Sequence, residues 1–139
     1  MNIPTQSPST ERPGRKGRGA LLALGIVLAV LGSLLAADRA LTYAYHPARG
    51  NPPDGVVILT TQWCGYCGAL RQHLQANAIP YTERDTERSW AGYWGLYAVR
   101  ARGVPVTAVG PEVILGFSPR IDAALTAAGY RLKVQPSLP

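Results

Sequence analysis

A long apolar run near the amino terminus limits how the rest of this chain can fold. The run extends from residue 20 to residue 37, ALLALGIVLAVLGSLLAA, and its eighteen residues include no charged side chain. As an α-helix rising about 1.5 Å per residue it would be roughly 27 Å long, close to the thickness of about 30 Å of a bilayer's hydrocarbon core. Since a membrane span is not part of a globular core, any compact domain has to form from the residues after it.

We predict that residues 20–37 form a transmembrane helix, a signal anchor preceded by a disordered basic tail over residues 1–19. The tail is rich in Pro, Ser, Gly and Arg, which leaves too little apolar surface to fold. A buried core helix is a second interpretation, disfavoured because the run is apolar on every face and has polar flanks. A cleaved signal peptide is a third, disfavoured because the run exceeds the usual length of about 7–15 residues and lacks a clear Ala-x-Ala site.

The charges around the apolar run predict its orientation. Four basic residues lie within ten residues of its amino-terminal end, whereas the basic residues close to its other end are Arg39 and Arg49. By the positive-inside rule the amino terminus stays in the cytoplasm. In a bacterium this predicts a single-pass protein of the inner membrane, with the domain that follows in the periplasm.

The net charge of +6 does not point to nucleic acid once it is divided by region. Residues 1–19 carry +3, whereas residues 54–130 contain six basic and six acidic side chains and are neutral. A protein that follows a phosphate backbone needs a continuous basic face. We therefore expect no nucleic-acid partner.

The remaining chain divides into a linker, a domain and a tail. Residues 38–53 are interpreted as a linker, because the ten residues HPARGNPPDG that end at Gly55 include three prolines and two glycines and favour an extended segment. Residues 54–130 show the alternating patterns of a compact α/β domain. Residues 131–139 are interpreted as a C-terminal tail.

The domain pattern predicts the order β-α-β-α-β-β-α. The first two strands should be parallel because a helix joins them, and the last two should form a hairpin across Gly110-Pro111. Residues 56–60 are four apolar residues followed by the β-branched Thr60, as in a strand covered on both faces. The other predicted elements are a helix over 64–77, a strand over 79–84 with Pro80 at its start, a helix from a cap at Asp85 or Thr86 to Ala101, strands over 104–109 and 112–116, and a last helix with Ser118 as cap, Pro119 first and Gly129 after its end.

The two cysteines, Cys64 and Cys67, lie where the first strand gives way to a helix. Backbone N–H groups at a helix start favour a negative charge, so Cys64 should form a thiolate readily. Cys67 follows one turn later on the same face, where the two sulfurs can bond reversibly. A zinc site needs about four ligands and the histidines are only His46 and His73, so no metal is expected. A structural disulfide closing so small a loop would stabilise little.

An aromatic stripe at helical spacing occupies the second helix, at Trp90, Tyr93, Trp94 and Tyr97. We interpret it as core packing rather than as a docking surface. His73 is interpreted as a solvated helix residue without a catalytic role.

Three motifs resemble the thioredoxin superfamily, and most closely its compact glutaredoxin branch. They are TTQWCGYC after the first strand, GVPVTAV, and ILGFSPRIDAAL before the last helix, and they lie within residues 55–129. The resemblance implies a thioredoxin-like (glutaredoxin-type) four-stranded mixed sheet with helices on both faces. It also implies a cis-proline loop at Val104-Pro105 beside the cysteines. The implied catalytic residues are Cys64, Cys67 and Pro105, and the implied substrate-binding residues are Trp63, Gly65, Tyr66, Val104, Gly116 and Phe117.

Two departures from the family pattern argue against glutathione. Glutaredoxins that bind glutathione usually carry a basic residue three before the first cysteine, where this chain has Thr61. They also carry a Gly-Gly-x-Asp-like turn at the last helix, where this chain has Gly116-Phe117-Ser118-Pro119. That turn instead resembles the glutaredoxin-like hydrogen donors. No cofactor is expected beyond the redox-active Cys64–Cys67 disulfide.

The function that this resemblance implies is a membrane-anchored thiol-disulfide oxidoreductase. Its expected partners are thiol or disulfide protein substrates of the envelope, a membrane or envelope redox partner, and the membrane itself through residues 20–37. A periplasmic disulfide isomerase is an alternative, because Cys-Gly-Tyr-Cys also resembles the tetrad of those enzymes. A non-enzymatic dithiol that holds a metal is another.

Overall fold

The computed structural model describes residues 15–134, which divide between Ala37 and Asp38 into two compact units. Helix α1, Arg15–Tyr45, contains the apolar run. Its segment Gly19–Tyr45 is long and apolar enough to cross a membrane, and an eighteen-residue stretch within it has a mean hydropathy of 2.6 and no buried residue. A signal sequence near the amino terminus can meet the same criteria of length and composition. Most of the predicted basic tail lies outside the described residues, but its last residues, from Arg15, are helical.

The segment after the apolar run differs from the expected linker. Helix α1 continues to Tyr45, so the first half of residues 38–53 is helical rather than extended. Beyond it Pro47 is buried, and the side-chain amide of Asn51 donates hydrogen bonds to the carbonyls of Gly55 and Gly110, at 2.8 and 3.3 Å. These contacts hold the segment against the domain because Asn51 supplies the donors that extended Pro-rich backbone lacks.

The second unit is built on a four-stranded mixed sheet in the order β2-β1-β3-β4. Strand β1 pairs parallel to β2 and antiparallel to β3, which pairs antiparallel to β4. This confirms the predicted fold class. The elements after α1 are β1 (Val56–Thr60), α2 (Gly65–Ala76), β2 (Thr82–Asp85), α3 (Trp90–Ala98), β3 (Val106–Val109), β4 (Glu112–Leu115) and α4 (Arg120–Ala127).

Both faces of the sheet are covered by helices. All five residues of β1 are buried, as its apolar sequence predicts. Ile58 belongs to a core cluster with Leu70 and Leu74 of α2 and Leu125 of α4. The next residue, Leu59, points to the opposite face, where its methyl groups lie against Gly95 of α3. Alternation along one strand thus gives each helix layer its own apolar contact.

Three predicted boundaries in β2 and α3 are wrong. Strand β2 starts at Thr82, after Pro80 rather than at it. Helix α3 is capped by Ser89, whose Oγ accepts from the N–H of Gly92 at 2.9 Å, because Asp85 instead accepts from the N–H groups of the turn that follows β2. The helix ends at Ala98, since Arg100 has a φ of 53°.

Helix α4 begins one residue later than predicted. Its N-cap is Pro119 rather than Ser118, with no side-chain hydrogen bond. Ser118 contributes only its carbonyl, which accepts from the N–H of Ile121 at 3.0 Å. Gly129 follows the helix with a φ of 97°, the left-handed conformation that favours glycine.

His73 is buried, so its interpretation as a solvated residue is wrong. Its Nε2 lies 2.7 Å from Oδ1 of Asp122 in the first turn of α4. The carbonyl oxygen of Asn77's side chain accepts from the backbone N–H groups of Lys133 and Val134, at 2.6 and 3.0 Å. Side chains from distant parts of the chain therefore satisfy polar groups that the helical pattern alone places in solvent.

Helix α3 turns its small residues inward and its aromatic side chains outward. Gly92, Gly95 and Ala98 are buried, whereas Trp90, Tyr93 and Tyr97 are 73%, 56% and 51% exposed. A Cβ at Gly92 would lie 2.1 Å from the carbonyl oxygen of Asp85, so this face approaches the backbone too closely for a side chain. The core-packing interpretation is therefore wrong for Trp90, Tyr93 and Tyr97, whereas Trp94 is half-buried.

Candidate active site

The first cysteine caps the helix that follows the central strand. Cys64 is the N-cap of α2, with extended backbone at φ −81° and ψ 113°. Its Sγ accepts from the backbone N–H of Cys67 at 3.2 Å. A sulfur held there by an otherwise unsatisfied N–H is placed to carry negative charge when the pair is reduced.

The two cysteines form a disulfide, so the site is in its oxidised form. Their Cα atoms are 5.2 Å apart, within the range that a disulfide bridges without moving the backbone. Cys64 is half-buried and Cys67 is fully buried. Only Cys64 is therefore open to a sulfur from another molecule.

The loop before β3 lies against this disulfide. The Val104-Pro105 peptide bond is cis, and the carbonyl oxygen of Val104 is 3.9 Å from Sγ of Cys64. Pro105 is fully buried, and its carbonyl accepts from the N–H of Gly116 at 2.8 Å. The structure thus brings the Val104-Pro105 loop to the cysteines. Gly116 contacts Pro105 of that loop rather than the cysteines themselves.

The residues between and before the cysteines are exposed. Trp63 is 75% exposed and Tyr66 is 54% exposed, and Gly65 is exposed between them. Nε1 of Trp63 donates to Oε1 of Glu87 at 2.9 Å. Sequence reasoning missed Glu87, because it lies in the turn between β2 and α3 and no local pattern links it to Trp63.

Phe117 is placed differently from the other residues implied by the resemblance. It packs against the core cluster beneath the sheet. Its ring lies edge-on to His73, with 6.3 Å between the ring centroids. Its contacts are therefore with the α2 and α4 side of the core.

The side chain of Arg71 places a positive charge next to the neutral Thr61. The guanidinium of Arg71 donates to the carbonyl of Thr61 at 3.0 Å and pairs with Glu83 at 2.7 Å. Thr60 completes the network, donating its hydroxyl to Glu83 and accepting from Arg71. Sequence reasoning missed Arg71 because its contact with Thr61 joins the middle of α2 to the residue that follows β1.

Within residues 15–134, no three His, Cys, Asp or Glu side chains are grouped so that they could hold a metal ion. The ring nitrogen Nε2 of His73 is already bonded to Asp122. The reactive groups that the structure describes at this site are the sulfur atoms of Cys64 and Cys67.

Comparisons with known proteins agree with this geometry. Residues 56–114 match the family model described as Glutaredoxin. Two proteins of Mycobacterium tuberculosis, strains CDC 1551 / Oshkosh and ATCC 25618 / H37Rv, are provisionally named glutaredoxins and are 50% identical to this chain over 36 residues. That alignment covers 26% of this chain and 43% of each relative, so the chain spans less than half the length of these curated relatives.

Solved structures show the same fold. A buckwheat glutaredoxin in complex with glutathione aligns with a TM-score of 0.50 at 21% identity, over 65% of this chain and 86% of that chain. Glutaredoxin C1 from Populus tremula x tremuloides, in its holo form, aligns with a TM-score of 0.50 at 23% identity, over 66% of this chain and 86% of that chain. These alignments support the thioredoxin-like fold.

Proposed function

We propose that this chain, whose residues 56–114 match the Glutaredoxin family model, is a membrane-anchored thiol-disulfide oxidoreductase that exchanges disulfides with envelope proteins. The observation that carries the proposal is the Cys64–Cys67 disulfide at the start of α2, with one sulfur accessible and the other buried. Such asymmetry separates an attacking cysteine from a resolving one.

Reduction of a substrate proceeds in two exchanges. The Cys64 thiolate attacks one sulfur of the substrate disulfide, a mixed disulfide forms, and the other substrate sulfur leaves as a thiolate. The Cys67 thiolate then attacks Sγ of Cys64, which releases the second substrate sulfur. The substrate gains two electrons, and the domain is left with the intramolecular disulfide that the structure contains. The reverse sequence oxidises a substrate dithiol.

The surroundings of the disulfide suit an extended protein substrate. Trp63 and Tyr66, next to the cysteines in the chain, provide exposed apolar area, and the Val104 carbonyl oxygen lies 3.9 Å from Sγ of Cys64. An extended peptide between them would place its own disulfide over Cys64 while its backbone pairs with the loop. Gly65 leaves the space above the disulfide open, because it adds no side chain there.

Two charged contacts support a protein substrate over glutathione. The cation beside Thr61 is Arg71, which is paired with Glu83. The acidic residue in the first turn of α4 is Asp122, which is bound to His73. A glutathione carboxylate and amine would each meet a side chain that already contacts another side chain of the domain.

The anchor and the location complete the proposal. An uncleaved α1 would hold the domain at the inner membrane, with the amino terminus in the cytoplasm and the domain in the periplasm. Disulfide exchange in that compartment requires a redox partner in the membrane or the envelope.

Insulin reduction by the full chain in mild detergent, with dithiothreitol as electron source, tests the activity. Cys64→Ser should remove the acceleration of insulin precipitation, because no attacking thiolate remains. Cys67→Ser is the matched control, since it removes the same atom but, when the reduced variant meets substrate after dithiothreitol is removed, should accumulate mixed disulfides that are seen on non-reducing gels. Full activity of Cys64→Ser would refute the proposal, and stoichiometric metal with no turnover would favour a metal-binding dithiol.

A further inference from the structure

The outer face of α3 is an unusual surface for a helix that borders water. No residue from Trp90 to Ala98 is charged, and the polar atoms of their side chains are only tyrosine hydroxyls and indole N–H groups. The small residues face inward, so the large aromatic ones are left outside. We name Trp90, Tyr93 and Tyr97 the aromatic face. An exposed apolar surface of this kind marks a contact with a partner or a membrane.

Beside this face is a groove that is open to solvent. Its volume is about 450 Å³, and its walls include Glu87, Arg88, Trp90, Tyr93 and Trp94. The indole of Trp94 forms edge contacts with Tyr93 and Tyr97, with ring centroids 5.3 and 5.5 Å apart. These contacts hold the aromatic rings in fixed positions, which lowers the entropy lost when they meet another surface.

The aromatic face is continuous with the end of α1. Within the second unit, Tyr97 donates its hydroxyl to Oδ1 of Asp38 at 2.7 Å, and Tyr45 stacks on Trp94 with 6.5 Å between ring centroids. Asp38 is the residue that follows the apolar run directly. Tyr97 is therefore within one side chain's length of the point at which a membrane-spanning α1 would leave the hydrocarbon.

Three arginines lie near this point, beside the acidic Asp38. Arg39, Arg49 and Arg100 are exposed, and the guanidinium of Arg49 lies 3.8 Å from the ring centroid of Tyr43. Arg100 lines a small surface cavity together with Asp38 and Tyr97. Arginines beside tyrosine and tryptophan match the headgroup region of a bilayer, where phosphates accept from arginine and amphipathic rings are enriched.

We propose that the aromatic face of α3 lies in the headgroup region of the membrane that α1 crosses, so that the domain rests on the bilayer instead of swinging from a linker. The occupant of this surface is lipid, because the face adjoins the end of the span and is bordered by arginines. The inference rests on the proposed membrane anchoring, but not on the redox activity.

Depth-dependent quenching of single tryptophans in the full chain tests this inference. Trp63→Phe with Trp94→Phe leaves Trp90 as the reporter, and Trp90→Phe with Trp94→Phe leaves Trp63. The two reporters are matched, since their exposed fractions are 73% and 75%. Each variant is inserted into vesicles of phosphatidylcholine and phosphatidylglycerol, with or without bromine atoms on the upper acyl chain.

We expect brominated lipid to reduce the emission of Trp90 by roughly twofold or more and to leave Trp63 nearly unchanged, because only Trp90 lies at the depth where tryptophan is enriched. Aqueous iodide should show the opposite order. Equal quenching of the two reporters by brominated lipid, or no quenching of Trp90, would overturn the inference. Nanodiscs that hold a single chain distinguish lipid contact from self-association. If Trp90 is quenched in vesicles but not in a nanodisc with one chain, the face contacts a second copy of the chain instead.

Extraction with alkaline carbonate distinguishes this failure from failure of the anchor. A chain that carbonate releases from the vesicles is not anchored, and both proposals would be wrong. An anchored chain with an unquenched Trp90 would contradict the membrane contact alone. Insulin reduction by the variant that keeps Trp63 reports on the redox function separately, because Trp63 belongs to the candidate active site.

Discussion

Helices α2 and α3 follow neighbouring strands and show apolar side chains at the same helical spacing, yet they bury opposite kinds of residue. Helix α2 buries Cys67, Leu70 and Leu74 and exposes polar residues such as Gln72. Helix α3 buries two glycines and an alanine and exposes three aromatic side chains. The first is the usual amphipathic arrangement, and the second is its inverse.

The difference lies in what each helix packs on. Helix α2 covers strand side chains such as Ile58, which leave room for leucines between helix and sheet. Helix α3 approaches the backbone at Asp85 and Thr86, where a Cβ on Gly92 would lie 2.1 and 2.9 Å from main-chain atoms. Periodicity shows that a helix has two faces, but the nearest neighbour decides which one is inside.

The largest expected effect contrasts one leucine with one tryptophan. Leu74→Ala should lower the free energy of unfolding by about 2–5 kcal/mol, because it leaves a cavity in the core cluster. Trp90→Ala should change it by less than about 0.5 kcal/mol, because its side chain is exposed. Urea denaturation of the full chain in mild detergent, followed by circular dichroism, measures both. A loss from Trp90→Ala as large as that from Leu74→Ala would show that the aromatic face is packed within the protein.

A glycine pair sharpens the comparison at a smaller scale. Gly92→Ala should cost about 1–3 kcal/mol, because its Cβ meets backbone that has no rotamer to change. Gly68→Ala on α2 should stabilise by about 0.5–1 kcal/mol, since nothing lies within 4 Å of its Cβ and alanine favours helix. The same denaturation experiment compares them. Changes of the same sign and size in the two variants would contradict the close approach of α3.

The smallest expected effect concerns pH at the edge of the aromatic face. The hydrogen bond from Tyr97 to Asp38, and the negative charge of that carboxylate, raise the pKa of the Tyr97 phenol above its usual value of 10.0. The folded protein then holds this proton more tightly than the unfolded chain. The stabilisation is fully present below the unfolded pKa and is lost as the pH rises through the folded one.

Alkaline difference absorbance at the tyrosinate band measures this. Asp38→Asn should let Tyr97 ionise at a lower pH. Burial also raises the pKa of Tyr130, so Tyr97→Phe should reduce the late-titrating component by one tyrosine and leave that of Tyr130. Tyr93→Phe is the matched control on the same face and should keep that component. An unchanged curve in Asp38→Asn would mean that the carboxylate does not act on Tyr97.

Much of the fold follows from local patterns. The strand at 56–60, the helix that begins after Cys64 and the hairpin across Gly110-Pro111 each depend on neighbouring residues, and all three are present. The start of α3 was misplaced because Asp85 and Ser89 are both good caps. Asp85 is the last residue of β2 and its side chain accepts a hydrogen bond from the turn, so Ser89 is the residue that caps α3.

The candidate site divides in the same way. Cys64, Cys67 and Val104-Pro105 lie in short motifs that are visible in the sequence, and the structure places them together. The contacts of Glu87 with Trp63 and of Arg71 with Thr61 join residues that no periodicity relates. Contacts of that kind depend on how separate elements pack, so the sequence alone does not predict them.

By itself, the amino-acid sequence determined where the apolar helix lies, which strands and helices form, and that two sulfurs sit one turn apart at a helix start. These are consequences of hydrophobic period and residue spacing along a few turns of chain. The tertiary structure alone decided which face of α3 is outside, that His73 is buried against Asp122, and that α1 continues into the domain as far as Tyr45. Each of these depends on the distance between segments far apart in the chain, which local pattern does not encode.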